Sequence, residues 1–203
     1  MRQLVILSGK GGTGKTTLAS AFIRLSKTRA CADCDVDAPN LHLVNGLYTS
    51  HKSAPYFGLP LAEINPAECI SCGECHKSCR FDAIIPGNPY RINPYACEGC
   101  GVCTLVCPVF AIKMKPHKAG SMTLFRNGDA VFSTAKLAMG SGTSGLLVSQ
   151  VKKRMKEAAR EDVPFAIVDG SPGIGCPVIA TLSGADVTLI VTEPSVSGIS
   201  DLE

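Results

Sequence analysis

The sequence predicts an α/β protein whose doubly wound, mostly parallel sheet carries a smaller inserted α+β module. Three observations predict this fold. Short apolar runs, typical of buried strands, recur along the chain and end in glycines or acidic residues. A glycine-rich turn joins the first run to a stretch with helical periodicity. A cysteine-rich internal repeat interrupts the pattern between residues 64 and 115.

The first strand is predicted over residues 4–7 and a helix from residue 18, and the turn between them contains Gly9-Lys10-Gly11-Gly12-Thr13-Gly14-Lys15-Thr16-Thr17. This turn matches the pattern G-x-x-x-x-G-K-T in its strand–turn–helix context. The glycines let backbone N–H groups point inward, and the helix N-terminus adds its positive end. In this pattern Lys15 reaches the β- and γ-phosphates and the Thr16 hydroxyl binds Mg²⁺. The motif therefore predicts a nucleotide-binding site.

A second lysine, Lys10, opens the loop in the form Lys-Gly-Gly-x-Gly-Lys-Thr. This form resembles the deviant phosphate loop of the MinD, ParA, Mrp and nitrogenase-iron-protein superfamily. The resemblance implies a P-loop NTPase sheet, ATP or ADP as ligand, and a nucleotide-sandwich dimer with a second copy or a paralogue. In that dimer Lys10 would reach the partner's phosphates and act in catalysis beside Lys15.

A second strand, predicted over residues 29–34, leads into the acidic residues Asp35 and Asp37. Acidic residues at the carboxyl end of a parallel strand lie where ligands bind in open α/β sheets. By the resemblance this stretch is the first switch, in which Asp37 orients the attacking water and Asp35 lies closer to the metal. The alternative is an aspartate turn that only ends the strand.

Another buried strand, over residues 165–169, ends in Asp169 and is followed by a glycine-rich turn. It resembles the Walker B strand and second switch of the superfamily. The resemblance implies that Asp169 holds Mg²⁺ through water and that the Gly173 backbone senses the γ-phosphate. Cys176 follows, and it is either a ligand of an inter-subunit cluster or a cysteine at a helix start with a lowered pKa.

Eight cysteines form the internal repeat, in which two sets of four recur at an offset of 28 residues: Cys69, Cys72, Cys75 and Cys79, then Cys97, Cys100, Cys103 and Cys107. Each set has the spacing C-x₂-C-x₂-C-x₃-C of a bacterial two-cluster ferredoxin. In that arrangement the fourth cysteine of each set binds the other cluster. We therefore predict one 4Fe–4S centre on Cys69, Cys72, Cys75 and Cys107, and a second on Cys97, Cys100, Cys103 and Cys79. Two zinc sites are the alternative, although structural zinc uses paired cysteines.

The remaining elements return the chain to the sheet. Residues 121–125 and 130–136 are predicted as a hairpin around Asn127-Gly128. A basic helix follows over residues 145–160, with Leu146, Leu147, Val151 and Met155 on one face. The predicted domains are residues 1–63 and 116–203 for the ATPase and 64–115 for the ferredoxin-like module. Superfamily members continue for several more elements, so we expect a longer protein and cannot assign base specificity.

Composition limits the classes of function. The sequence has no run of apolar residues long enough for a signal peptide or a membrane span, so we expect a cytoplasmic protein. In the cytoplasm, the eleven cysteines among its 203 residues indicate metal chemistry rather than disulfides. Two clusters would remove the formal charge of +3, which makes nucleic acid an unlikely partner.

The leading hypothesis is an ATPase that couples nucleotide state to electron transfer through its clusters to a redox partner. The alternatives are an Mrp-type scaffold that delivers clusters to an acceptor protein, and a ParA- or MinD-like spatial organiser.

Overall fold

The computed structural model describes residues 1–46 and 49–200. In chain order these residues form β1 (Arg2–Ser8), α1 (Lys15–Ser26), β2 (Ala30–Asp33), α2 (Leu41–Asn45), β3 (Ser50–Phe57), β4 (Leu61–Ile64), α3 (Glu74–Ser78), β5 (Ile84–Ile85), β6 (Arg91–Ile92), α4 (Val102–Val106), β7 (Ile112–Lys115), β8 (Lys118–Asn127), β9 (Ala130–Leu137), α5 (Ser144–Ala158), β10 (Phe165–Pro172), α6 (Cys176–Leu182), β11 (Val187–Ile190) and α7 (Val196–Ser200). None of the helices in the described part of the chain is both long and apolar enough to cross a bilayer.

The main sheet has the strand order β11-β1-β10-β2-β9-β8-β3. β1 pairs in parallel with β10 and β11, and β2 pairs in parallel with β10 and β9. β8 and β9 form the predicted antiparallel hairpin, in which Asn127 pairs with Ala130. The predicted α/β class with a mostly parallel sheet is therefore confirmed. Its parallel strands direct their carboxyl ends, and the loops that follow them, to one edge.

Burial explains why these segments form the centre of the sheet. β2 and β10 are covered on both faces, as expected for parallel strands between helices. Ile6, Leu41, Phe132 and Ile167 belong to one buried apolar cluster. α5 buries Leu147, Val151 and Met155 completely. Leu146 was predicted on the same face but is 51% exposed, because it lies one residue away from the buried stripe at helical spacing.

The cysteine-rich unit is a duplicated fold. β4 pairs with β7 and β5 pairs with β6, both antiparallel. The equivalent bonds Asn65 N–H to Ala111 O and Asn93 N–H to Ala83 O are both 2.7 Å long. Gly73 and Gly101, equivalent by the 28-residue offset, precede α3 and α4 with φ of 81° and 77°. The backbone therefore follows the sequence repeat closely in both halves.

The chain divides into two compact units. One contains residues 1–46, 49–56, 120–137 and 144–200, and the other contains Phe57–Ala119 with Ala138–Thr143. The second unit is inserted between β3 and β8 of the first. The short segment Ala138–Thr143, which joins β9 to α5, belongs to the cysteine-rich unit, whereas the sequence placed it with the ATPase part.

Candidate functional sites

The predicted phosphate loop lies between β1 and α1. Gly12 and Gly14 have φ of 85° and 88°, a left-handed conformation that favours glycine. The Ser8 and Thr13 hydroxyls both donate to the Lys10 carbonyl, at 2.8 and 3.4 Å, and so close the turn. Gly11, Gly12, Gly14 and Thr17 are exposed, and Gly9, Thr13 and Thr16 are partly exposed. The loop thus presents its backbone at the N-terminus of a twelve-residue helix, an arrangement suited to anions.

Lys15 and Asp169 are brought together in a buried ion pair. Lys15 Nζ donates to Asp169 Oδ1 at 2.6 Å, and the two side chains are 7% and 0% exposed. Asp169 Oδ2 is buried without a hydrogen-bond partner among the described residues. A buried carboxylate oxygen without a partner is costly, and a hydrated divalent cation would satisfy it. The residues present therefore fit the predicted Mg²⁺ and phosphate ligands.

Asp33, the last residue of β2, lies directly beside this pair. It is completely buried and is the register partner of Asp169 on the neighbouring parallel strand. Burial raises the pKa of Asp33 to about 7, and the nearby charge of Asp169 adds to the rise. The acidic residues after the second strand predicted a site at its carboxyl end. Nothing in the sequence distinguishes Asp33, inside the strand, from the core residues around it.

Asp35 and Asp37 occupy different environments. Asp35 is partly exposed, and burial raises its pKa while the nearby charge of Lys15 lowers it. Asp37 is exposed. The structure therefore places Asp35 in the electrostatic field of the Lys15–Asp169 pair and leaves Asp37 on the surface of the same loop.

Lys10 and Gly173 each have a partner within the chain. Lys10 Nζ lies 3.3 Å from Glu193 Oε1 in an exposed ion pair, and this contact lowers the pKa of Glu193. Glu193 follows β11 and was not predicted as a site residue. Gly173 has φ of 91°, and its N–H donates to the Ser8 carbonyl at 2.9 Å. The Gly173 N–H must leave this bond before it can contact a phosphate.

The eight repeat cysteines line two separate cavities. One is lined by Cys69, Cys72, Cys75 and Cys107 together with Ile64, Val109, Ala111 and Ile112. The other is lined by Cys79, Cys97, Cys100 and Cys103 together with Phe81, Ile84, Ile92 and Met114. Each cavity therefore combines three closely spaced cysteines of one half of the repeat with the last cysteine of the other half.

The chemistry of these cavities fits iron–sulfur clusters. Each set of thiols lines a cavity, and within the described residues no group of three or more His, Cys, Asp or Glu side chains could hold a single metal ion. Ala111 N–H donates to Cys107 Sγ at 3.3 Å, and N–H groups of Ser71 and Tyr90 lower the pKa of Cys69. Such N–H donors stabilise cluster thiolates. The other lining residues are mostly apolar, and Cys75 is buried whereas Cys72 and Cys100 are exposed.

The other cysteines lie away from these cavities. Cys31 and Cys34 are buried in and just after β2, and burial with the neighbouring Asp33 carboxyl raises the pKa of the Cys34 thiol. Cys176 is exposed at the start of α6. A cluster between two subunits at Cys176 would need a second chain, and it stays a prediction.

Lys152, a residue of the predicted basic helix, is only 5% exposed. Its ammonium group donates to the Ser183 carbonyl at 2.7 Å and also to the Thr181 carbonyl, and burial lowers its pKa. Lys152 therefore ties α5 to the C-terminal end of α6, where a cation is favourable.

Comparison with known proteins gives a domain match and two relatives. Residues 62–114 match the family described as 4Fe-4S dicluster domain. The chain is 36% identical to the uncharacterized protein MJ0578 of Methanocaldococcus jannaschii over 204 aligned residues, covering 98% of this chain and 70% of that protein. The chain belongs to the MJ0578 family. A second protein of that organism, the uncharacterized protein MJ0579, is 29% identical over 99% of this chain and 72% of its own length.

Solved structures are also similar to this MJ0578-family chain. One is the septum site-determining protein MinD of Pyrococcus horikoshii complexed with Mg-ADP, with a TM-score of 0.47 and 17% identity over 98% of this chain and 61% of the other. Another is the Cyanothece McdA(D38A)–ATP complex, with a TM-score of 0.48 and 20% identity over 100% of this chain and 60% of the other. The chain spans about three fifths of the length of these structures. The MJ0578-family chain therefore has a mostly parallel α/β sheet that carries a phosphate-loop motif, and its residues 62–114 match a 4Fe-4S dicluster domain.

Proposed function

We propose that this chain is an iron–sulfur ATPase that binds and hydrolyses Mg·ATP and couples its nucleotide state to electron transfer through two 4Fe–4S clusters. The phosphate loop and Lys15 bind the triphosphate, and the clusters supply one-electron chemistry. Because iron–sulfur cysteines require reducing conditions, we place this activity in the cytoplasm.

The main support for this function is that the phosphate site and the cysteine-rich unit are connected along the chain through neighbouring strands. β2 ends in Asp33, beside the Lys15–Asp169 pair, and its other neighbour in the sheet is β9. β9 belongs to the β8–β9 hairpin, through which the chain returns from the cysteine-rich unit. The strand that supports the acidic loop is thus paired with β9, and β9 is paired with β8, the strand by which the chain returns from the cysteine-rich unit.

Hydrolysis requires groups that hold the phosphates and orient water. Lys15, which pairs with Asp169 in the structure, would bind the β- and γ-phosphates, and Asp169 and the Thr16 hydroxyl would hold a hydrated Mg²⁺. Asp35 and Asp37 are the two candidates for orienting water, and the field of Lys15 supports Asp35. Fixed positive charge then stabilises the transferred phosphoryl group.

Dimer formation is part of this function. Lys10 is exposed and held only by a surface ion pair with Glu193, a contact of small net stability. It is therefore available to a second subunit's phosphates. Two relatives, MJ0578 and MJ0579, occur in one organism, which supports a paralogue as an alternative partner to a second copy.

An anaerobic preparation tests the function. We expect a brown protein with about eight iron atoms per chain, Mg²⁺-dependent ATP hydrolysis, and a doubling of mass on addition of ATP. Transfer of the clusters to an apo-protein on hydrolysis would favour the delivery scaffold instead. ATP-dependent binding to DNA or vesicles without a redox effect would favour the spatial organiser. A colourless protein without ATPase activity would contradict all three.

A further inference from the structure

Asp33 uses both carboxylate oxygens to hold the loop that follows β2. Its Oδ1 accepts the N–H of Asp35, and its Oδ2 accepts the N–H groups of Asn40 and Leu41, each at 3.0 Å. The side chain is 0% exposed, so water does not compete for these bonds. One buried carboxylate therefore fixes both ends of the acidic loop.

The bonds to Asn40 and Leu41 also fix the start of α2. N–H groups in the first turn of a helix have no partner within the helix, and the Asn40 side chain makes no capping bond. The carboxylate of Asp33, which lies earlier in the chain, caps the start of α2 instead. At the other end of α2, the Ser20 hydroxyl of α1 donates to Asn45 Oδ1 at 2.8 Å.

The beginning of the loop is also attached to β10. Cys34 N–H donates to the Asp169 carbonyl at 2.7 Å, and the Ser171 hydroxyl donates to the Cys34 carbonyl at 2.5 Å. Because Asp169 binds Lys15, the acidic loop and the phosphate loop share one buried set of contacts. The position of Asp35 relative to Lys15 depends on this set.

We propose that Asp33 is a positioning residue for ATP hydrolysis, which holds the acidic loop so that Asp35 faces the phosphates bound by Lys15. This role rests on the proposed ATPase function. Asp33 acts through the backbone of residues 35–41 and does not itself contact the nucleotide. Its loss therefore affects the chemical step more than the binding of nucleotide.

The Asp33→Asn variant separates these effects, because it keeps the shape of the side chain but replaces one acceptor oxygen with a donor. We expect kcat for ATP hydrolysis to fall ~10- to 100-fold, while the Kd of a non-hydrolysable ATP analogue and the iron content stay close to wild type. Asp162→Asn, which changes an exposed carboxylate paired with Arg29, is the matched control and should retain wild-type kcat. Equal kcat in Asp33→Asn and wild type would overturn the role of Asp33, as would an equal loss of affinity and kcat.

Amide hydrogen exchange on the wild-type protein tests the same contacts without depending on the variant. The Asn40 and Leu41 amides should exchange slowly, because Asp33 is their acceptor. In Asp33→Asn, which keeps only one acceptor oxygen, either these two amides or the Asp35 amide should lose protection. Exchange at the rate of an unstructured peptide in wild type would overturn the inference even if ATP is hydrolysed. A wild-type protein that protects these amides but does not hydrolyse ATP would instead overturn the proposed function, and with it the role of Asp33 in catalysis.

Discussion

Asp33 and Asp169 are register partners on adjacent parallel strands, and both are completely buried. Only one cation, Lys15, is in contact with the pair among the described residues. When both acids are ionised, they and one lysine leave an excess of negative charge in a site of low dielectric, which favours a divalent cation. This arrangement connects the sequence of β2 and β10 to the proposed chemistry.

Replacing Lys15 with alanine should abolish nucleotide binding without affecting the clusters. The variant removes the cation that binds phosphate and leaves Asp169 as an unpaired buried charge, which is strongly destabilising. We expect the affinity for ATP to fall at least ~100-fold, the melting temperature to fall, and the iron content to be unchanged. Lys52→Ala, at an exposed position on β3, is the control. Nucleotide affinity within a few-fold of wild type in Lys15→Ala would exclude the phosphate loop as the binding site.

The stability of the nucleotide-free protein should depend on pH through Asp33. Its pKa of about 7 in the folded state exceeds the value of 3.8 in the unfolded chain. Between these two values the folded state holds a proton that the unfolded state has released, so stability falls as pH rises toward neutrality and levels off above it. We expect the melting temperature of wild type to decline relative to Asp33→Asn between about pH 5.5 and 7.5. Parallel curves for the two proteins would show that Asp33 does not titrate in this range.

Asp35→Asn should reduce ATP hydrolysis more than Asp37→Asn. Asp35 lies in the field of Lys15, whereas Asp37 is exposed. We expect ~100-fold lower kcat for Asp35→Asn and a change of less than ~10-fold for Asp37→Asn, measured by phosphate release at saturating ATP. The opposite order would restore Asp37 to the water-orienting role that the family resemblance assigns to it.

Double cysteine variants test how the two ligand sets are assembled. Cys79 and Cys97 line the same cavity, so replacing both with serine should remove one cluster and leave about four iron atoms per chain. Cys69 and Cys79 line different cavities, so replacing both should remove or weaken both clusters. If each cluster instead used four consecutive cysteines, the two double variants would show the reverse pattern in iron content and in the electron paramagnetic resonance of the reduced protein.

The sequence predicted the features that depend on local spacing. The phosphate loop is continuous in the chain, and its glycines have the expected left-handed conformation at Gly12 and Gly14. The cysteines are brought to two cavities because the 28-residue offset repeats the local backbone. In both cases the residues that carry the chemistry lie in short segments of the chain, and the fold preserves the local conformation of those segments.

Features that depend on distant partners were not predicted. The proposed role of Asp33 depends on two contacts with distant parts of the chain. Asp33 is in register with Asp169 of β10, and its carboxylate accepts the N–H groups of Asn40 and Leu41 at the end of the loop. The Lys10–Glu193 pair joins residues 183 positions apart, and only the fold shows which acid lies there. Lys152 belongs to a basic run that resembles a solvated face, yet the packing of α5 on α6 buries this one member.

The most direct test of coupling between the two sites is the reduction potential of the clusters with and without nucleotide. Potentials should be measured in an anaerobic redox titration with a saturating non-hydrolysable ATP analogue and Mg²⁺, using Lys15→Ala as the control. We predict a shift of about 60 mV or more in the reduction potential of at least one cluster, and no shift in the control. A shift of about 60 mV is equivalent to a tenfold difference in nucleotide affinity between the oxidised and the reduced protein. Identical potentials in wild-type protein that demonstrably binds the analogue would contradict the proposed coupling.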